Sequence, residues 1–398
     1  MLISLRYNIA KKLLLKVAKH LKSGQITLRF PEGDEHHFTG AKQGPSADLT
    51  IVKKEGLLRI IKAGKLGFCE AYMAQEVETT GLVDLIEFAA TNNQEIESKL
   101  KMTPLTWLIT RIGHMLNRNS KSGSRKNISY HYDLGNDFYA LWLDDTMTYS
   151  SAVYESEATS LSDAQKMKYR KLAEMAELQA GDHVLEIGCG WGGFAEFAAS
   201  EYDVTLTCIT ISQEQYDFAK ARIEKAGLSD RVEIVITDYR DLKSQSFDKV
   251  VSIEMFEAVG MAYWPTYFNK VSDVLRTGGK AALQVITIDH KEFESYCQTP
   301  DFIQKYIFPG GMLPSMEAIE DPIKKSGMRL AKSHGYGLHY ARTLDEWRQK
   351  FVEQWPKIES QAGFDITFKR MWELYLAYCE GGFKTGMIDV KQMTLVKD

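Results

Sequence analysis

No stretch of 18 apolar residues occurs anywhere in this chain of 398 residues, which argues against a membrane-spanning helix. The five cysteines (Cys69, Cys189, Cys208, Cys297 and Cys379) are scattered, odd in number and without a C-x-x-C pair. Such usage fits a reducing cytosol and offers no metal site. Net charge is only −4, so the protein as a whole does not advertise a polyanionic partner. The N-terminus is basic and apolar but lacks a small-residue cleavage site, so it does not read as a signal peptide. One absence is local: no acid stands between Lys101 and Tyr132, whereas Lys101, Arg111, Arg118, Lys121, Arg125 and Lys126 all do.

The length exceeds one ordinary core, and two domains are expected. Residues 2–22 suit an amphipathic helix, with Leu14, Val17, Ala18 and Leu21 on one face and Lys11, Lys12, Lys16, Lys19 and Lys22 around it. Such a helix can lie on an anionic membrane surface or pack on its own domain. Strands are expected at Ile26–Phe30, Asp48–Lys53 and Leu57–Lys62, and helices near 70–77 and 82–90 close a smaller α+β domain over residues 1–115. Residues 116–130 read as a basic linker. The cations of 101–126 accompany Leu105, Trp107, Leu108, Ile109 and Ile112, and each would add on the order of 1 kcal/mol near an anionic bilayer. A solvated linker is the plainer alternative.

Residues 131–398 form the second domain. Strands at His183–Ile187, Val204–Thr210, Val232–Thr237, Lys249–Ile253 and Lys280–Ile288 alternate with helices at 194–201, 213–226 and 266–276. That alternation predicts an α/β fold, a parallel sheet with helices on both faces and ligands at the carboxyl ends of its strands. The first strand runs into Glu186-Ile-Gly-Cys-Gly-Trp-Gly-Gly193. Glycines there let the backbone turn tightly and approach a ligand, but their spacing is not the dinucleotide fingerprint. The pattern resembles motif I of the Rossmann-like class I methyltransferases. That resemblance implies S-adenosylmethionine as cofactor, with Glu186 near its amino-acid end and Gly188 and Gly190 admitting the backbone. Thr210 and Gln215 would serve the ribose hydroxyls where many methyltransferases use an acid, Asp238 the adenine amino group, and Tyr239 stacking.

Further motifs narrow the reading. Tyr130-His-Tyr-Asp-Leu-Gly-Asn-Asp-Phe-Tyr139, Thr148-Tyr-Ser-Ser151, Met255-Phe-Glu-Ala-Val-Gly260 and Tyr306-Ile-Phe-Pro-Gly-Gly-Met-Leu-Pro-Ser315 together resemble the cyclopropane-fatty-acyl-phospholipid synthase family, with its mycolic-acid relatives. The resemblance implies methylene transfer onto the cis double bond of a phospholipid acyl chain. It also implies a cytoplasmic homodimer, peripheral at the inner membrane surface, whose N-terminal domain engages anionic lipid. By motif, Tyr149 and Ser150 would join the cofactor site. A bicarbonate ion would lie beside the sulfonium methyl, held by Glu257, Tyr340, the Ile286 backbone, a Cys and a His. This chain departs at the last two, with Ser151 for the Cys and Gln284 for the His. Gln284 cannot carry a proton away, so Glu257 becomes the expected base or anion anchor, in a network with Tyr340, Ser151 and Gln284. Loss of the proton elsewhere would give a methyl-branched unsaturated chain.

Blander readings stand beside these. Glu257 can be an ordinary helix-start carboxylate and Tyr340 a packed core residue; His131 and His339 read as structural. A small-molecule methyltransferase would share the sheet but not need the basic-apolar segment. A nucleic-acid methyltransferase would want a basic face and usually an Asn/Asp-Pro-Pro-aromatic site, a motif the chain lacks. A non-catalytic lipid-binding protein is the remaining alternative.

Overall fold

A computed structural model describes residues 2–99, 134–243, 246–361 and 363–398. The linker 116–130, His131 and the whole basic-apolar segment 101–126 lie outside the described residues. The chain divides into two units. One comprises Met1–His114, Gln298–Ile307 and Trp347–Met387, the other Met115–Cys297, Phe308–Glu346 and Ile388–Asp398. Two segments of the stretch read as the second domain, 131–398, therefore group with the first unit. The helix Ile366–Lys384 shows why. A Cβ on its Gly381 would meet Ile86 Cγ2 at 2.6 Å, and Arg370 Nη2 donates to the Val77 carbonyl at 2.8 Å. An amphipathic pattern reveals that a helix has a core to face, but not which core.

In the first unit, β1 (Ser23–Arg29), β2 (Glu35–Thr39), β3 (Lys42–Ile51) and β4 (Val77–Glu78) form a sheet of order β2-β1-β3-β4. Residues Leu57–Lys62, read above as a strand, lie instead in the helix Lys54–Met73. Leu57, Ile60, Ala63 and Leu66 are buried at three-residue spacing, a helical period that a six-residue window cannot separate from alternation. The helix Leu2–Ala18 turns Tyr7, Ala10, Leu14, Val17 and Ala18 inward. Its apolar stripe thus packs on its own unit, while Leu5 and Ile9 stay exposed on the far side with Lys12 and Lys16.

The second unit holds β5 (His183–Ile187), β6 (Thr205–Thr210), β7 (Val232–Ile236), β8 (Phe247–Ile253), β9 (Leu275–Ile288), β10 (Met328–Gly335) and β11 (Ile388–Lys397). Their order is β10-β11-β9-β8-β5-β6-β7, and β11 runs antiparallel to both its neighbours. Strand alternation sends Leu185, Val250, Leu283 and Met393 to one hydrophobic cluster and Val184, Val251 and Ala282 to the other. Each cluster seals one face of the sheet beneath its helices. Glu186, Gln284 and Gln392 share the second parity, which faces the helix Leu161–Ala176.

Candidate active site

The sheet brings the glycine turn and the loop after β8 together. Gly188 has φ +82° and Gly190 φ +52°, values that favour glycine. A Cβ on Gly188 would lie 2.7 Å from Met255 Cγ, so the turn and the Glu254–Glu257 loop are neighbours. The turn is pinned to β6, with Gly188 N and Cys189 N both donating to the Ile209 carbonyl at 2.9 and 3.1 Å.

Several expected cofactor residues converge here. Glu186 is buried, and desolvation lifts its carboxyl to about 7. Its Oε2 finds no hydrogen-bond partner in the protein, the mark of an acceptor shaped for a donor from outside. Thr210 Oγ1 donates to Gln215 Oε1 at 2.9 Å, and Ser212 caps the helix carrying Gln215. Ser150 is buried and takes a 2.7 Å hydrogen bond from Lys168 Nζ. Lys168 went unnoticed in the sequence. It is wholly buried, and desolvation brings its ammonium down to about 7 despite the pull of Glu254, Asp144 and Glu186. Tyr149 packs against Tyr139 and Trp142 at ring separations of 5.4 and 5.5 Å. The orphaned acceptor, the backbone cradle and the polar pair at the end of β6 fit S-adenosylmethionine.

Two expected residues are otherwise engaged. Asp238 accepts from Arg240 Nε and Nη2 at 2.8 and 2.6 Å, which gives its carboxylate a partner within the chain. Tyr239 is buried with its ring edge-on to Tyr267 at 5.5 Å, so its placement is that of a core residue.

The expected catalytic residues do come together, but around a residue the sequence reading missed. Tyr340 OH donates to Glu254 Oε2 at 2.6 Å, while Gln284 Nε2 and the Ser151 backbone N–H both donate to Glu254 Oε1 at 2.8 Å. The network expected on Glu257 is thus built on Glu254. Desolvation raises the Glu254 carboxyl while these three donors and Lys168 pull it down. Glu257 stands apart: its Oε1 accepts from Ile286 N at 2.5 Å and its Oε2 has no partner. Desolvation first, and the Glu254 charge second, push Glu257 up to about 8. Burial thus raises both carboxyls, and the donors around Glu254 favour a charge there for which Glu257 Oε2 has no partner. The Ser151 hydroxyl turns to the Ala152 carbonyl at 3.1 Å and leaves only its backbone to the network. His339 accepts from Tyr154 N at 2.9 Å, consistent with a structural place. The signal for Glu254 was present, since two acids three residues apart follow the end of a strand.

The chain is similar to known proteins. Residues 119–393 match the family model of mycolic acid cyclopropane synthetase, and residues 13–101 match a domain of unknown function. Tuberculostearic acid methyltransferase UfaA1 of Mycobacterium tuberculosis is 40% identical over 98% of this chain and 91% of its own. Cyclopropane-fatty-acyl-phospholipid synthase of Escherichia coli is 36% identical over 87% of each. The structure of cyclopropane synthase MmaA2 from Mycobacterium tuberculosis superimposes with a TM-score of 0.63 at 31% identity, covering 69% of this chain and 98% of that one. A further structure, of CmaA1 at 28% identity, was determined with SAH bound. The protein belongs to the mycolic acid cyclopropane synthetase family and is an S-adenosylmethionine-dependent methyltransferase.

Proposed function

We propose that the protein methylates the cis double bond of an unsaturated acyl chain in a membrane phospholipid. The observation that carries this reading is the Glu254–Glu257 carboxyl pair beside the glycine turn. S-adenosylmethionine supplies an electrophilic methyl group when bound. An alkene is a weak nucleophile, so the protein must hold it close and in line, then stabilise the cation its attack creates. Glu254 is fixed by three donors that favour its charged form, so its carboxyl need not reorganise. It also offers a lone pair to a departing proton.

Of the two products, we favour the methyl-branched chain over the cyclopropane. Ser151 and Gln284 replace the Cys and His expected at the site, and the UfaA1 relative is named a methyltransferase. The ring remains the second reading, supported by the E. coli relative's name. For access to lipid, Leu5 and Ile9 on the outer face of the first helix stand exposed among Lys12, Lys16 and Lys19. No helix among the described residues is long and apolar enough to cross a membrane. The test supplies vesicles of unsaturated phospholipid and methyl-labelled S-adenosylmethionine, then reads the acyl chains by mass spectrometry and NMR. Label in a methyl-branched chain supports the reading, and upfield ring protons would replace it with the cyclopropane. Absence of label from lipid refutes both. Association with anionic vesicles should weaken as salt rises, since screening acts within about 10 Å at 0.1 M.

A further inference from the structure

The residues of this site do not fit a bicarbonate ion. Tyr340 OH, Gln284 Nε2 and Ser151 N, three groups that could receive one, already close on Glu254 at 2.6–2.8 Å. Ile286 N is likewise taken by Glu257. We propose that the Glu254 carboxylate is the resident anion of this site and the acceptor of the proton released after methyl transfer, so that the reaction runs without bicarbonate. The catalytic half of this inference rests on the acyl-methylation reading above.

Three features indicate that the arrangement is built rather than incidental. Glu254 has φ +50°, a left-handed backbone that side chains with a Cβ disfavour, and its N–H is anchored to the Gln284 carbonyl at 2.8 Å. Such a conformation at the end of a strand is kept where the side chain must point one way. Gln284 is itself oriented. Gln392 Nε2 donates to its Oε1 at 3.0 Å and to the Lys168 carbonyl at 3.2 Å, so the Gln284 amide presents its NH2 to Glu254. Finally, the Lys168 ammonium is near enough to favour the charged form of Glu254.

In the reaction, the alkene π pair forms the bond to the methyl carbon as that carbon's bond to sulfur breaks, the breaking pair remaining on sulfur. The cation left on the alkene then loses a proton to a Glu254 oxygen. The freed C–H pair becomes a double bond in the branched product, or a ring bond in the cyclopropane. The Glu254 proton returns to solvent on product release.

The experiment compares wild type, Glu254→Gly and Glu254→Gln. Glycine suits the left-handed position, and calorimetry with S-adenosylmethionine checks that each variant folds. Wild type should turn over equally in carbonate-depleted buffer and in buffer with added bicarbonate. Glu254→Gly should lose about a hundredfold or more, and recover part of it with bicarbonate or formate. Without any lipid, 13C-bicarbonate should show no binding to wild type by NMR and measurable binding to Glu254→Gly. A wild type that binds bicarbonate, or slows when it is removed, overturns the proposal, as do Glu254 variants of full activity. Should no lipid take up label, the acyl-methylation reading fails, while the NMR arm still decides what fills the anion position.

Discussion

Glu257→Gln separates a protonated carboxyl from a working base, and its consequence can be worked from the site. Glutamine keeps an oxygen for Ile286 N and puts an NH2 where the protonated acid has its hydroxyl. The carboxyl moves from an ordinary 4.5 to about 8 in the folded protein. Between those values the native state binds a proton that the unfolded chain has released, so stability falls as pH rises through this window. Full ionisation would cost about 5 kcal/mol; from pH 6 to pH 8 the loss is about 2 to 3 kcal/mol. The variant escapes that loss. Scanning calorimetry should find wild type losing about 5 °C more than Glu257→Gln between these two pH values. Turnover of the variant at pH 7 should stay within about tenfold of wild type, because the acid it replaces is already uncharged. Parallel melting shifts for both proteins would refute the raised carboxyl, and a hundredfold loss of turnover would restore Glu257 as the base.

Two other substitutions test the cofactor side. Gly188→Val should abolish S-adenosylmethionine binding by calorimetry, because φ +82° is strained for valine and its Cβ would press on Met255; unchanged affinity would move the cofactor elsewhere. Lys168→Met keeps the buried stem but removes the donor to Ser150 and the charge near Glu186, so affinity for S-adenosylmethionine should fall about tenfold. Equal affinity would leave Lys168 a structural residue only.

The strands that position the site were legible because β5, β6, β8 and β9 are apolar runs bounded by turns. Their helices carry clear periodicity. β10 escaped because seven of its eight residues are exposed, so its sequence, Met-Arg-Leu-Ala-Lys-Ser-His-Gly, has no buried face to betray it. β11 escaped for the opposite reason: Gln392 and Thr394 are polar residues buried where a strand is expected to show apolar ones, Gln392 held by a hydrogen bond to Gln284 on β9 and Thr394 by one to the Met175 carbonyl of the helix Leu161–Ala176. Motif reasoning grouped Ser151, Gln284 and Tyr340, and in the fold the three meet at Glu254. It could not foresee that Glu254 would collect them, because that depends on a left-handed turn which no local pattern requires of a glutamate.

The chain's two departures from the methyltransferase unit bear on how it is made. As it leaves the ribosome, the large sheet can extend only to β9, since β10 touches that sheet solely through β11, which starts at Ile388. The smaller unit must also wait, because its core includes Trp372 and Tyr375 from the helix Ile366–Lys384. The smaller body therefore cannot be finished before Ile366–Lys384 is made, nor the larger before β11. Until then unpaired edges and uncovered apolar surface persist, the condition in which nascent chains need shielding. A ribosome stalled before Ile366 would thus release neither body intact.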